Sequence, residues 1–317
     1  MIHAFSGGVG GAKLARGLAD EVAGDELAIV VNTGDDFDYL GLRIMPDFDS
    51  VAYAIAGRND EVRGWGRAGE TWQCKESLVE LGVDAWFSLG DKDLAMHLLR
   101  LSLLKSGATV GDAAQEILRR MGIRCRVLPM TDDAVETIVV TPEGELGFQD
   151  YFVRRHCQPR VSAFRFAGLD KARPSATWFD ALASGIPPGV IICPSNPYVS
   201  IDPILALRGV REALQRTRAP VVAVSPLVGG DAVKGPLAKM LRELGRPLTP
   251  VAIAEHYGDL LDGFVLDARD EAFAPALLER GLRVAICDTL MPDRGSSRRV
   301  ARACLALLAE CGAASAA

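Results

Sequence analysis

The densest group of chemistry-bearing residues is acidic. Asp35, Asp36 and Asp38 stand close together, and Asp47 and Asp49 follow in Pro46-Asp47-Phe48-Asp49. If the two segments converge, their charges repel; two unit charges ~4 Å apart cost roughly 4 kcal/mol at a surface-like dielectric. A divalent cation removes that cost, and all-oxygen ligands beside a phosphate favour Mg²⁺ over a transition metal. The plainer alternative makes Asp36 a turn residue and Asp47 or Asp49 the cap of a helix over Ser50–Ala56.

A second group lacks charge but suits anions. Ser6-Gly7-Gly8-Val9-Gly10-Gly11-Ala12-Lys13-Leu14 follows the apolar run Ile2–Phe5. A strand runs into a glycine-rich turn and then into a helix, whose first N–H groups are unpaired and lie at the positive dipole end. Glycines let the backbone approach a phosphate without a Cβ in the way. The loop is no standard fingerprint. Lys13 fills the third glycine place of G-x-G-x-x-G, and Leu14 stands where the P-loop needs a hydroxyl. A nucleotide diphosphate fits better than NAD, and a tight turn without a ligand is the plainer alternative.

Two further stations carry polar groups. Gly90-Asp91-Lys92-Asp93 opens a helix bearing His97 and Arg100, which share a face with Asp93 and could present an imidazole and a guanidinium to an anion. Asp91 or Asp93 could equally cap that helix. Lys92 precedes the helix proper and could reach a phosphate. Pro194-Ser195-Asn196-Pro197-Tyr198-Val199-Ser200-Ile201-Asp202-Pro203 is stiff and polar, and Ser195, Asn196 and Ser200 offer neutral hydrogen bonds to phosphate or ribose oxygens. The nucleophile elbow G-x-S-x-G is absent, so no serine triad is indicated.

These stations need a scaffold, and apolar periodicity supplies one. Strands are expected over Ile2–Phe5, Leu27–Val31, Trp86–Leu89, Val190–Cys193, Val221–Val224, Phe264–Leu266 and Val284–Cys287. Most are continuous apolar runs, as buried parallel strands are. Helices are expected over Ala12–Ala19, Leu94–Leu104, Val110–Met121, Gly209–Thr217, Pro236–Leu244, Glu271–Arg280 and Ser297–Leu308. Thr109 and Asp112 open the third of these as a capping box. The pattern is that of a doubly wound, mostly parallel, Rossmann-like α/β sheet, in which ligands sit beyond the carboxyl ends of the strands. Gly7 to Gly11, Asn32 to Asp36, Gly90 to Asp93 and Pro194 to Pro197 each follow one of these strands.

The middle differs. Arg124–Leu128, Thr137–Val140 and Glu145–Phe148 read as strands without helices between them, and Thr141-Pro142-Glu143-Gly144 is a hairpin turn. The expected organisation is a nucleotide-binding core over 1–124 and 185–317 with a smaller inserted α+β subdomain over 125–184.

The bulk properties narrow the class. At 317 residues, 49% hydrophobic and 24% charged, the chain can bury a full core. No apolar run approaches the ~18 residues of a membrane span. Nothing resembles a signal peptide. A net charge of −6 without a basic stripe argues against nucleic acid; Arg294, Arg298, Arg299 and Arg302 read as a solvated helix face. The seven scattered cysteines contain no C-x-x-C, and the four histidines no ligand spacing; this suggests a reducing cytoplasm and no zinc. The tail from Gly312 to Ala317 is expected to fray.

Taken together, the stations resemble the 2-phospho-L-lactate transferase family of deazaflavin coenzyme F-420 biosynthesis. The matching pieces are Phe5 to Leu14, Val31-Asn32-Thr33-Gly34-Asp35-Asp36, Pro46-Asp47-Phe48-Asp49, Gly64-Trp65-Gly66, Glu70-Thr71-Trp72, Leu89-Gly90-Asp91-Lys92-Asp93, His97, Phe148-Gln149-Asp150, Pro194-Ser195-Asn196-Pro197 and Asp288-Thr289-Leu290-Met291. The resemblance implies a Mg²⁺-dependent transferase, cytoplasmic and homodimeric. Its donor is a guanylyl diphosphate-linked three-carbon acid (lactyl or enolpyruvyl). Its acceptor is the deazaflavin Fo, whose ribityl hydroxyl attacks the distal phosphorus as GMP leaves, giving coenzyme F-420-0 or its dehydro form.

The resemblance further implies roles. Asp49 contacts Fo or holds the metal, and Lys92, at a position often arginine in the family, contacts Fo, with His97 and Trp65 or Trp72 beside it. Gly7, Gly8, Gly10, Gly11, Lys13, Ser195 and Asn196 hold the nucleotide. Mg²⁺ sits on Asp35, Asp36 or Asp49, and Asp49 or Asp36 orients or deprotonates the hydroxyl. The alternative is a non-catalytic sugar-nucleotide-binding regulator of the gluconeogenesis-factor type, which is similar at the glycine loop. That family carries Asp-Asp-Gly-Gly-Ser-Ser where this chain has Asp35-Asp36-Phe37-Asp38-Tyr39-Leu40.

Overall fold

The computed structural model describes residues 1–184 and 188–315. The expected start of the second core stretch, Gly185, lies outside the described residues, as do the last two residues of the tail.

The first half of the chain runs β1 (Ile2–Ser6), α1 (Gly8–Glu21), β2 (Leu27–Val31), β3 (Phe37–Tyr39), β4 (Leu42–Ile44), α2 (Pro46–Ile55), α3 (Gln73–Glu80), α4 (Asp91–Lys105), α5 (Val110–Met121) and β5 (Arg126–Pro129). Then come β6 (Glu136–Thr141), β7 (Gly144–Gly147), β8 (Ala163–Ala167), α6 (Ala176–Ala183), β9 (Val190–Ile192), α7 (Asp202–Leu205), α8 (Val210–Arg216) and β10 (Val221–Val224). The last part holds β11 (Leu227–Val228), β12 (Asp231–Ala232), α9 (Leu237–Glu243), α10 (Pro250–Tyr257), β13 (Gly263–Asp267), α11 (Ala274–Leu278), β14 (Arg283–Cys287) and α12 (Arg294–Ser315).

A parallel sheet in the order β14-β13-β10-β9-β1-β2-β5 forms the centre. Side chains alternate faces along a strand, so continuous apolar runs require cover on both sides. Phe5, Val30, Ile192, Ala223 and Phe264 enter one core, which Trp178, Leu214, Leu241 and Leu277 complete. Ala4, Ile29, Ile191, Val222 and Val265 enter the other, under Leu14 and Leu18 of α1, Phe48 and Val51 of α2, and Val300 and Cys304 of α12. Gly17 lets α1 and α12 touch; a Cβ there would lie 2.2 Å from the Ser297 carbonyl oxygen. Strand order reverses between β1 and β9, so the loops after these two strands meet at the switch point.

The insertion holds the antiparallel sheet β7-β6-β8. Thr141 closes its hairpin, donating from Oγ1 to the Gly144 carbonyl at 2.8 Å. The capping box at α5 has both arms, and Gly122 ends that helix at φ +76°.

Several expectations are corrected. Trp86–Leu89 is not a strand. Trp86 and Phe87 pack on Phe37 and Tyr39 in an aromatic cluster, and an apolar run can be buried that way without a ladder. β5 takes the sheet edge instead: the run expected to be antiparallel pairs parallel with β2, Ala28 opposite Arg126. The β3–β4 hairpin was not expected; it turns at Leu40 (φ +53°) and Gly41 (φ +76°), both left-handed as a two-residue hairpin loop needs. α12 continues through Gly312 to Ser315 rather than fraying there.

Candidate active site

Ser6 ends β1 and Pro194 follows the end of β9 by two residues, and the loops after these adjacent strands are stitched together. The Ser195 hydroxyl accepts the Gly7 N–H at 3.1 Å and donates to the Gly7 carbonyl at 2.8 Å. Gly10 and Gly11 are glycines because the chains touch: a Cβ on Gly10 would lie 2.4 Å from the Pro194 carbonyl oxygen, and one on Gly11 2.5 Å from Ser6 Oγ and Ser195 Oγ. Asn196 caps the π-helical turn Pro197–Ile201, its Oδ1 accepting the Tyr198 N–H at 3.0 Å. The loop glycines thus have steric work inside the fold.

α2 opens earlier than expected, with Pro46 at its first position. Asp47 and Asp49 therefore lie within its first turn and reach elsewhere. Asp47 Oδ1 accepts the Gly8 N–H at 2.7 Å, and its Oδ2 accepts from Asn32 Nδ2 at 3.0 Å. Burial pushes the Asp47 carboxyl up to about 6. Asp49 is gripped by both terminal nitrogens of Arg100, which is itself buried. Burial works against the Arg100 charge, yet the Asp49 carboxylate lifts it above the usual guanidinium range.

Asp35 and Asp36 follow β2. Burial raises both carboxyls well above the usual range, for Asp35 with the Asp47 charge adding to it. Asp35 Oδ1, both carboxylate oxygens of Asp36 and the Thr33 hydroxyl are buried without a hydrogen-bond partner. Buried polar atoms are nearly always paired, by protein or by water, so these atoms are open to a water, an ion or a ligand. Arg43 pairs with the exposed Asp38 at 3.5 Å, and its other terminal nitrogen lies 3.9 Å from Asp36 Oδ2. A cleft of about 320 Å³ opens over Asp35 and Asp36, walled by Phe37, Trp86, Phe148, Gln149 and Arg154.

Across α1, burial and then the charges of Lys234 and Arg16 lower Lys13 below the usual lysine range. This places a second lysine near the glycine loop. Arg16 is spent on Glu61 at 2.6 Å and Ser297 at 3.0 Å.

The third station folds differently from its expected use. Asp91 accepts the amides of Gln73 and Cys74, at 3.2 and 3.0 Å, so it caps α3 rather than its own helix. Glu70 returns the favour, accepting from the Lys92 and Asp93 amides, each at 2.8 Å. Lys92 is exposed and its ammonium donates to the Gly69 carbonyl. His97 is buried, between Arg100 and Asp93. Trp65 is 47% exposed, under the Arg63 guanidinium and beside Trp72, and lines a separate cleft of about 550 Å³. The structure therefore gathers Gly7, Gly8, Gly10, Gly11, Ser195, Asp35, Asp36 and Asp47, while Asp49, in the same first turn of α2 as Asp47, is held by Arg100 of α4. Trp65 does not line the cleft that holds Asp35 and Asp36.

Three contributors were not foreseen. Asp47 serves the glycine loop, Arg100 serves Asp49, and Phe37, Trp86 and Phe148 wall the acidic cleft. Asp47 stood in the acidic cluster and Arg100 at helical spacing from His97, but neither signal told which partner each would serve.

Among the described residues no three His, Cys, Asp or Glu side chains form a metal-holding group. Mg²⁺ needs fewer, since it keeps waters and takes one or two carboxylates plus substrate phosphates. The unpartnered oxygens of Asp35 and Asp36 fit that demand. Asp49, with both oxygens on Arg100, fits it less well.

Glycine-rich and polar loops meeting at a switch point, a lysine on the helix between them and buried acids beside them define a doubly wound α/β fold with an enzyme-like site. The family model for the 2-phospho-L-lactate transferase CofD matches residues 2–293, and the chain belongs to that family. A phosphoenolpyruvate transferase of Kitasatospora aureofaciens is 40% identical over 313 residues, covering 96% of this chain and 97% of that one. A 2-phospho-L-lactate transferase of Methanosarcina barkeri is 38% identical, covering 94% and 95%. Among solved structures, a UPF0052 family protein of Bacillus halodurans superposes with a TM-score of 0.61 over 96% of this chain and 98% of that one. At 17% identity that likeness concerns the fold alone.

Proposed function

We propose that this chain transfers a 2-phospholactate or phosphoenolpyruvate group from a guanylyl diphospho donor to the ribityl hydroxyl of the deazaflavin Fo. The products are GMP and coenzyme F-420-0 or its dehydro form. One observation carries the reading: in a chain of the 2-phospho-L-lactate transferase CofD family, buried carboxylate oxygens without a hydrogen-bond partner follow β2, the strand paired with β1 and its glycine loop.

The hydroxyl oxygen forms a bond to the distal phosphorus, the phosphoanhydride bond to GMP breaks, and the hydroxyl proton passes to a carboxylate. Such transfer needs positioning and charge neutralisation more than covalent help. Gly7 and Gly8 are committed to Ser195 and Asp47, which leaves the Val9 and Gly10 amides, with Lys13 and Lys234, for the donor phosphates. Asp35 and Asp36 would hold Mg²⁺, which when bound neutralises phosphate charge. Asp36 would hold the ion through one oxygen and take the proton on the other, and Asp49 faces the acceptor. Lys92 stands ready for the acceptor's polar edge. The flat ring is assigned to the cleft of Phe37, Trp86 and Phe148, where offset stacking is available.

A cytoplasmic location is supported by the free thiols of Cys74, Cys125, Cys157, Cys193, Cys287 and Cys304. A homodimer is supported by exposed Val62, Trp65, Val79 and Leu81. No helix among the described residues is long and apolar enough to cross a membrane.

The test is product formation. Protein, Mg²⁺, Fo and either donor should yield GMP and the phospho-ester of Fo in equal amounts by chromatography. A folded protein giving neither product with either donor, while binding a UDP-sugar tightly, would place the chain with the regulators.

A further inference from the structure

Arg100 is 1% exposed, and no step above uses it. Besides forking Asp49, its Nη1 donates to the Arg43 carbonyl at 3.1 Å and lies 3.0 Å from His97 Nδ1. A guanidinium has donors only. His97 Nδ1 must therefore accept, and the ring proton sits on Nε2. That nitrogen faces Asp93 Oδ1 at 3.4 Å, and the same oxygen accepts the Tyr53 hydroxyl at 2.6 Å. Burial works upward on Asp93, but its contacts with His97 and Tyr53 hold it below the usual carboxylate range.

The chain of contacts Asp49–Arg100–His97–Asp93–Tyr53 joins two helices. Asp49 and Tyr53 are four residues apart on α2. Asp93, His97 and Arg100 lie along one face of α4. Each contact has one permitted direction, and Nη1 shares its two hydrogens among Asp49 Oδ2, the Arg43 carbonyl and His97 Nδ1. Burying an ion pair contributes little net stability, because desolvation offsets the attraction. What the array does provide is a fixed carboxylate. The fork takes one lone-pair site on each oxygen of Asp49 and leaves the others open.

We propose that Arg100, seated by His97, is a positioning residue that holds the Asp49 carboxylate in one orientation toward the acceptor hydroxyl. This rests on the reading that Asp49 meets the acceptor.

The experiment compares Arg100→Lys, Arg100→Met and the double variant Asp49→Asn/Arg100→Met. The readouts are thermal melting, kcat and KM for donor and Fo, and the ring ¹⁵N shifts of His97. Lysine keeps the charge but not the fork, so a folded Arg100→Lys protein should lose about tenfold to a hundredfold in kcat, with the donor KM nearly unchanged. In Arg100→Met the His97 ring should lose its single Nε2–H tautomer signature. If Arg100→Met does not fold, Arg100→Lys and the charge-free double variant still carry the test.

A folded Arg100→Lys protein with wild-type kcat, beside an inactive folded double variant, overturns the positioning role and spares Asp49. A folded double variant with wild-type kcat overturns the reading of Asp49 and the proposal with it.

Discussion

The Asp47 carboxylate accepts the Gly8 amide at 2.7 Å, so the first N–H of α1 is answered from within the chain. An anion at this helix start therefore meets the next amides. Asp47→Ala removes the acceptor and should cost about 1–2 kcal/mol, as loss of a helix cap does. Asp47→Asn keeps an acceptor for the Gly8 amide but turns its own amide nitrogen toward Asn32 Nδ2, itself a donor, so it should also melt below wild type, by less than Asp47→Ala. Thermal denaturation of the two variants at pH 7 checks the contrast.

Asp36 presents two buried oxygens without a hydrogen-bond partner, the nearer 3.9 Å from Arg43 Nη2. Asp36→Asn removes a charge that burial disfavours, so the variant should be as stable as wild type or more so. Its turnover should fall by about 10²–10⁴, the usual worth of a positioned acid–base group. Steady-state kinetics beside a melting curve tests both halves, and wild-type turnover would take Asp36 out of the chemistry.

Gly10 touches the Pro194 carbonyl so closely that a Cβ would lie 2.4 Å away. Backbone cannot rotate aside as a side chain can. Gly10→Ala should therefore part the two switch-point loops, costing about 1–3 kcal/mol and weakening GDP binding. Urea denaturation and calorimetric titration with GDP are the measurements.

His3 is buried in β1, and burial, followed by the nearby N-terminal amine, lowers its pKa from 6.5 to about 4. Between those values the unfolded chain binds the proton and the folded chain does not. Stability contributed by neutral His3 is thus present above pH 6.5 and lost as pH falls toward 4, by roughly 3 kcal/mol in all. Asp47, raised to about 6, works the other way, since the folded chain keeps a proton that the unfolded one has released. The His3 share emerges as the difference between wild type and His3→Leu across pH 4–7. A difference that does not change with pH would mean that His3 is not held neutral.

Trp86 lines the acidic cleft and Trp65 the other. Trp86→Leu should raise the KM for Fo about tenfold, the equivalent of one lost ring contact, while Trp65→Leu leaves it unchanged. The reverse pattern would move the acceptor ring to the Trp65 cleft.

Much of the architecture is legible in the residues because the relevant signals are local. Leu27–Val31 is apolar at every position and becomes a fully buried parallel strand. Thr109 and Asp112 are three residues apart and cap one helix. Trp86–Leu89 misleads because an aromatic cluster and a strand leave the same apolar run. The site is less legible because its partners are distant. Nothing local pairs Asp49 with Arg100, fifty-one residues on, or tells that Asp91 will cap α3 instead of α4. The acidic cluster was visible; that Asp35 and Asp36 keep unpartnered oxygens while Asp47 and Asp49 are engaged depends on how α2 docks.

The most direct test of the central claim is Fo fluorescence polarisation with the purified protein, Mg²⁺ and GDP. The account predicts a saturable rise that GDP strengthens and that Trp86→Leu weakens. Flat polarisation at every protein concentration, from a protein that binds a UDP-sugar, would contradict it.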